Sequence, residues 1–181
     1  HAEHAEYPDD GGVRFREHGG YVKPWKEGGD YILILGQVVR DASLIGFPGE
    51  SWYAEIAKRA RERYGKPVYF RPHPNVIKRG GYAKVDGLKN LDGTLDEALE
   101  GALFTIAYNS NSCLDSIMSG VPCYAGNKGT MAWDLCSHDI NEIVRPDREK
   151  RLHQIAWTQW TRDEIEEGTP VINMLRMKGY A

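Results

Sequence analysis

The apolar positions fall into short unbroken runs separated by stretches of helical period. Ile32-Leu33-Ile34-Leu35, Val68-Tyr69-Phe70 and the segment Leu103 to Tyr108 are nearly continuous apolar runs. That pattern predicts parallel strands buried on both faces rather than strands with one wet side. Between the first two runs, Trp52, Ile56, Ala60 and Tyr64 recur every four residues, with charged residues between them. This predicts a helix from about Ser51, its expected N-cap, to Tyr64, with Gly65 as the stop. After the third run, Asn109-Ser110-Asn111-Ser112 breaks the apolar pattern. Leu114, Ile117 and Met118 then follow at helical spacing, Gly120 stops the helix, and Val121-Pro122-Cys123-Tyr124 starts another extended run. Leu103 to Tyr124 therefore reads as one strand–helix–strand unit, around which the rest of the chain is expected to be organised.

The remaining elements are shorter. Thr94 with Glu97 forms a capping-box pattern before a short helix over Leu95 to Leu99. A short strand is expected near Tyr82 to Val85, and a loop with one helical turn over 126–139. A short extended piece is expected at Ile140 to Val144, and a helix from Asp147 to Thr161 with Leu152, Ile155, Ala156 and Trp160 on one face. Thr161 with Glu164 repeats the capping-box pattern for a further short helix, and Val171 to Met177 suits a closing one. The predicted fold class is α/β, a mostly parallel Rossmann-like sheet with helices on both faces. The expected organisation is an irregular arm over 1–29, the Rossmann-like domain over 30–146, and helices over 147–181 packed on that same domain.

In such a sheet the ligand end is the carboxyl edge of the strands. A polar cluster follows each of the three apolar runs: Gly36-Gln37, then Arg71 with His73, then Asn109, Ser110, Asn111 and Ser112. These clusters should converge, and their types suit a phosphate diester. Ser110 and Ser112 offer hydroxyls, and Ser112 with Asp115 suggests a capping box at a helix N-terminus that favours an anion. Arg71 offers a charged fork. His73, mounted between Pro72 and Pro74, can donate to a leaving phosphate oxygen. Gln37 can bond a base or a sugar hydroxyl, and Arg40 and Asp41 follow the first strand. Asp10, beside Asp9 and before Gly11, is a candidate general base, against the plainer reading of a solvated loop.

Composition narrows the classes. The chain has 181 residues, 41% hydrophobic and 27% charged, with a net charge of −3. This suits a soluble globular protein with no global attraction to nucleic acid or anionic membrane. No apolar run is long enough to span a bilayer and the start shows no secretory signal, so a cytoplasmic location is expected. The first residue is not Met, which leaves open a fragment or a processed portion. Cys113, Cys123 and Cys136 have no metal-type spacing and the histidines are scattered, so reduced thiols and no metal are expected. There is no dinucleotide fingerprint, no Walker A lysine motif and no nucleophile elbow.

One resemblance joins these motifs. Leu35-Gly36-Gln37-Val38, Asp41-Ala42-Ser43, Arg71-Pro72-His73-Pro74, Asn109-Ser110-Asn111-Ser112 before a helix, Gly120-Val121-Pro122 and Tyr124-Ala125-Gly126 occur in that order. The set resembles the capsule polysaccharide biosynthesis family, which includes the bacterial β-Kdo glycosyltransferases, over about residues 31–135. The resemblance implies the donor-binding half of a two-domain GT-B enzyme with a nucleotide-sugar donor as substrate, in that family CMP-linked, and no cofactor. It implies donor nucleotide and phosphate binding by His73, Ser110 and Ser112, and donor sugar contact near Gln37 and Asp41. Arg71 stands where the family usually has Lys, and Asp115 where it has Glu. The family's Pro-Phe-Tyr-Ala-Gly-Trp-Gly signature is reduced to Cys123 through Gly129. The chain has room for one Rossmann-like domain, so the acceptor half, for a glycan or other acceptor, is expected to be reduced, absent, or supplied by a second chain or a homo-oligomer. Two other classes stay open: a non-catalytic nucleotide-sugar binding module, and a phage-type DNA glycosyltransferase using Arg71, Lys78, Arg79, Lys84 and Lys89 as a phosphate-contacting face.

Overall fold

β1 (Tyr31–Leu35) forms the middle of a parallel sheet because nothing in it seeks water: Ile32, Leu33 and Ile34 are fully buried. Burying side chains of this kind contributes about 1.5–3 kcal/mol each. The computed structural model describes residues 7–8, 10–38 and 44–180. Its sheet has the order β3-β2-β1-β4-β5, with β2 at Val68–Arg71, β3 at Lys89–Asn90, β4 at Ala102–Ala107 and β5 at Cys123–Ala125. Every pairing is parallel. The α/β fold class read from the apolar runs is therefore the observed one.

The connections follow from the order. From β1 the chain passes through α2 (Glu50–Tyr64) to β2 on one side, and from β4 through α5 (Ser112–Met118) to β5 on the other. Right-handed crossovers in opposite directions place the two helices on opposite faces. The side chains agree. Ile32, Ile34, Phe70, Phe104 and Ile106 share a core with Tyr53, Ile56, Ala57 and Ala60 of α2. The alternate residue Thr105 faces α5, where its hydroxyl lies 2.7 Å from that of Ser116. Gly120 ends α5 in the left-handed region at φ 79°, so tightly against Pro24 that a Cβ would lie 2.1 Å from its carbonyl oxygen.

The described residues divide into two compact units, Val22–Pro146 around the sheet, and the chain ends, up to Tyr21 with Asp147 onward. In the second unit, α1 (Val13–Glu17) sits in the segment expected to be an irregular arm. Five residues with two apolar positions give no readable period. The helix exists because the Asp10 carboxylate accepts the N–H groups of Gly12 and Arg14, each at 2.8 Å. Arg14 is buried: its Nε donates to Ala156 O at 2.9 Å, and its Nη1 meets Glu164 Oε1 at 2.5 Å. Its guanidinium lies 4.3 Å from the Trp160 ring centroid.

Several boundaries differ from expectation. The strand near Tyr82 to Val85 is absent; Val85 is core, and the edge strand is the polar pair Lys89–Asn90, too short for any period to register. Gly49, at φ 85°, is the N-cap of α2, and Ser51 donates instead to Pro48 O at 3.2 Å. α3 (Val76–Arg79) follows the His-Pro corner. Ile140 to Val144 forms no strand, only a bridge between Asp139 and Glu142. The helix expected from Asp147 to Thr161 is α6 (Glu149–Ala156), capped at Trp157. Both capping boxes form, Thr94 with Glu97 before α4 (Leu95–Glu100) and Thr161 with Glu164 before α7 (Arg162–Glu166). α8 (Thr169–Met177) closes the chain. Among the described residues no helix is long and apolar enough to cross a membrane.

Candidate functional site

The register of the sheet lines up the residues that follow its strands. Ile34 of β1 pairs with Phe70 of β2 and with Ile106 of β4, and Ile106 pairs with Tyr124 of β5. Three residues beyond each member of that row stand His73, Gln37, Asn109 and Asn127. The carboxyl edge of the sheet therefore carries a row of polar residues contributed by four strands.

Two of them meet directly. Gln37 Nε2 donates to Asn109 Oδ1 at 2.6 Å, and the Asn109 backbone N–H donates to Gln37 Oε1 at 3.1 Å. Both side chains are buried, at 8% and 5% exposure. Their place is the topological switch of the sheet. From β1 the chain winds towards β2 and β3, then crosses back to β4, so the winding reverses at the crevice between the carboxyl ends of β1 and β4. Open α/β sheets hold their ligands in such a crevice.

The flanking turns close on this pair. Gly36 donates its N–H to Arg71 O at 2.8 Å, tying the ends of β1 and β2. A Cβ on Gly36 would lie 2.8 Å from the Phe70 ring, so a larger residue would force the strand ends apart. Gly81, at φ 156°, brings the loop after α3 so close to Gln37 O that a Cβ would stand 2.9 Å away. On the other side Asn127 donates its N–H to Tyr108 O at 2.8 Å and its Nδ2 to the Tyr108 hydroxyl at 3.3 Å. Tyr108 packs on Phe47 and Trp52 with ring centroids 4.7 and 5.3 Å away. This aromatic wall and Asn127 are parts of the edge that motif reading did not assign. Asn127 follows β5 as His73 follows β2, and that register is the signal that finds it.

The other expected residues fall as follows. His73 follows β2 at the Pro72–Pro74 corner, half-buried, its Nδ1 accepting the Asn75 N–H at 3.1 Å. Arg71 turns towards the opposite loop, with Nη2 donating to Gly93 O at 3.0 Å, while its Nε is buried with no hydrogen-bond partner. Asp41, with Arg40, lies outside the described residues. Asp10 caps α1, and although burial opposes it, the N–H groups of Arg14 and Gly12 hold its carboxyl below the usual value. A carboxylate so held is a poor proton acceptor.

The turn after β4 is built differently from the expected helix cap. Asn111 is the N-cap of α5 and Ser112 the first helical residue, so Asp115 falls one position past the capping-box place. Ser110 supplies the local bonds. Its hydroxyl accepts the Ser112 N–H at 3.2 Å and its carbonyl accepts the Cys113 N–H at 3.1 Å. Asn111 O accepts the Leu114 N–H at 2.8 Å. The amides expected to be free for an anion are therefore engaged in the turn. What the turn offers is the exposed Asn111 and the half-buried Ser112 hydroxyl. Burial, then the nearby Asp96, raises the Asp115 carboxyl above its ordinary value.

No family model and no curated protein matches this chain. Solved structures similar to it include two of one organism. One is Thermosulfurimonas dismutans KpsC, described as a β-Kdo 2,4 transferase, at 18% identity and a TM-score of 0.53 over 84% of this chain and 56% of that one. The other is the same organism's KpsC described as a β-Kdo 2,7 transferase, at 19% identity and a TM-score of 0.48 over 79% of this chain and 50% of that one. The chain thus spans about half the length of the structures it matches. The first of them shows the fold of this chain to be a Rossmann-like parallel sheet of the kind found in a GT-B glycosyltransferase.

Proposed function

We propose that this chain is the donor-binding part of a GT-B glycosyltransferase, holding a nucleotide-linked sugar at the carboxyl edge between β1 and β4. The observation that carries the reading is the polar row His73–Gln37–Asn109–Asn127 placed by register at the topological switch. The ordered motifs from Leu35 to Gly126 and the likeness of fold support it.

In this reading the acceptor oxygen forms a bond to the sugar's anomeric carbon as the bond from that carbon to the phosphate oxygen breaks. The electron pair stays on the phosphate. His73, as a cation or proton donor, and the Ser112 hydroxyl neutralise that charge, a preorganised electrostatic role. The acceptor's proton passes to a base on the acceptor side. Gln37 and Asn109, already committed to each other, hold the strand ends at fixed separation.

The test is a thermal-shift screen against CMP, UDP, GDP and their sugars. A ligand at 100 times its dissociation constant should stabilise by about 2.7 kcal/mol. A CMP-linked sugar is the expected hit, and no shift with any nucleotide overturns the reading. One observation favours a second reading, a nucleotide-sugar binding module without catalysis: Asp10, the candidate base, is engaged as a helix cap. Binding without transfer or hydrolysis of the sugar would select it.

A further inference from the structure

Cys113, Cys123 and Cys136 share no sequence motif, yet the fold brings them to one point. Cys113 is the second residue of α5, Cys123 opens β5, and Cys136 ends a 3-10 turn at Trp133–Leu135. Their sulfur atoms all lie within 4.8 Å of one another. All are free thiols, at 0%, 1% and 4% exposure. Cys123 and Cys136 sit on neighbouring backbone, since Ser137 donates its N–H to Cys123 O at 2.8 Å. The buried Thr130, in the loop between Cys123 and Cys136, donates its hydroxyl to Ser110 O at 3.5 Å, the same carbonyl that accepts the Cys113 N–H at 3.1 Å.

Buried cysteines can pack simply as small apolar residues. Apolar packing does not require three sulfurs from three elements to face one another, and mutual approach of sulfurs is what a metal demands. Metal–sulfur bonds of about 2.3 Å place three sulfurs on a tetrahedral face or in a plane about 3.8–4.0 Å apart. The cluster reaches that spacing with shifts well under 1 Å. The donor set is all sulfur, which selects soft ions over magnesium or calcium.

We propose that Cys113, Cys123 and Cys136 form a three-thiolate site for a thiophilic d10 metal ion, zinc or its analogues, that staples α5, β5 and the 3-10 turn together. Binding converts three thiols to thiolates and releases three protons, so a divalent ion leaves the site with a net charge of −1. A monovalent ion would leave −2, a worse charge to bury, which favours zinc over copper(I). The site braces the far end of the turn that carries Ser110 and Ser112, and it stands independently of whether that turn binds a nucleotide.

The experiment uses the purified reduced chain. It is titrated with Cd2+ while thiolate-to-cadmium charge-transfer absorption is followed, then with Zn2+ in competition, with Cu+ as a separate arm. One ion per chain, proton release that grows as pH falls, and a raised thermal midpoint reversed by a chelator are expected. Cys136→Ser and Cys123→Ser should abolish the stoichiometric signal. If either variant fails to fold, chelator-induced lowering of the wild-type midpoint provides the same test. Absence of one-to-one binding by Zn2+, Cd2+ and Cu+ overturns the site. So does a single titratable thiol per denatured, metal-free chain purified without reductant, which would mean that two of the cysteines pair as a disulfide.

Discussion

Gln37 and Asn109, 72 positions apart in the chain, exchange two hydrogen bonds at the carboxyl edge of the sheet. Each satisfies the polar group that the other buries. Removing one partner alone leaves a buried amide unsatisfied, which costs about 1–3 kcal/mol. Asn109→Ala and Gln37→Ala should each destabilise by that amount in urea unfolding, and the double variant by less than their sum. A coupling of about 0.5–3 kcal/mol is expected for residues in contact; strictly additive losses would show that the exchange contributes nothing.

His73 stands outside the core at a corner fixed by prolines. His73→Ala should leave stability within about 0.5 kcal/mol of the parent. On the proposed function it should remove most of the affinity for a nucleotide phosphate. Calorimetry with CMP or a CMP-linked sugar reads this directly, and unchanged affinity would remove His73 from the site.

Gly120→Ala places a Cβ 2.1 Å from Pro24 O at a left-handed position. The clash is with backbone, so no side chain can swing aside. A loss of more than about 1 kcal/mol is expected. Gly65→Ala also falls at positive φ but meets nothing within 4 Å, and is the control that separates clash from conformational strain.

Glu164 carries an acid-sensitive contribution. The hydrogen bond from Arg14, then the N–H of Thr161, holds its carboxyl at about 2, against an ordinary value of 4.5. Its folded value is depressed, so its contribution is complete above about pH 4.5 and is lost as pH falls towards about 2. The thermal midpoint should therefore fall more steeply over that window in the parent than in Glu164→Gln. Identical slopes would show that the pair with Arg14 does not contribute.

Much of this fold is legible in the chain because its strands are unbroken apolar runs and its two capping boxes use Thr and Glu at fixed spacing. The edge strand Lys89–Asn90 is not legible, since two polar residues carry no period. The helix Val13–Glu17 is not either, since it rests on Asp10 and on tertiary bonds of Arg14. At the site, the convergence of Gln37 with Asn109 follows from placing both after parallel strands. The direction of Arg71 and the engagement of the α5 amides do not follow, because side-chain and turn bonds are settled by near neighbours such as Gly93 and Ser110. The cysteine cluster was hidden for a related reason: spacing along the chain says little once β4, α5 and β5 fold back on one another.

The register row of the sheet has a consequence for folding. β1 is apolar on both faces, so sliding it by one residue against β4 would still bury apolar side chains on either side. The inside–outside alternation that fixes the pairing of amphipathic strands is missing here. Discrimination must come from the ends, where a slip of one residue moves Gln37 by about 3.3 Å relative to Asn109, beyond what their hydrogen bonds tolerate. The exchange between these amides thus acts as a pin that chooses one pairing among several the core would accept. A substitution there should give mispaired, slowly refolding chains as well as a weaker site.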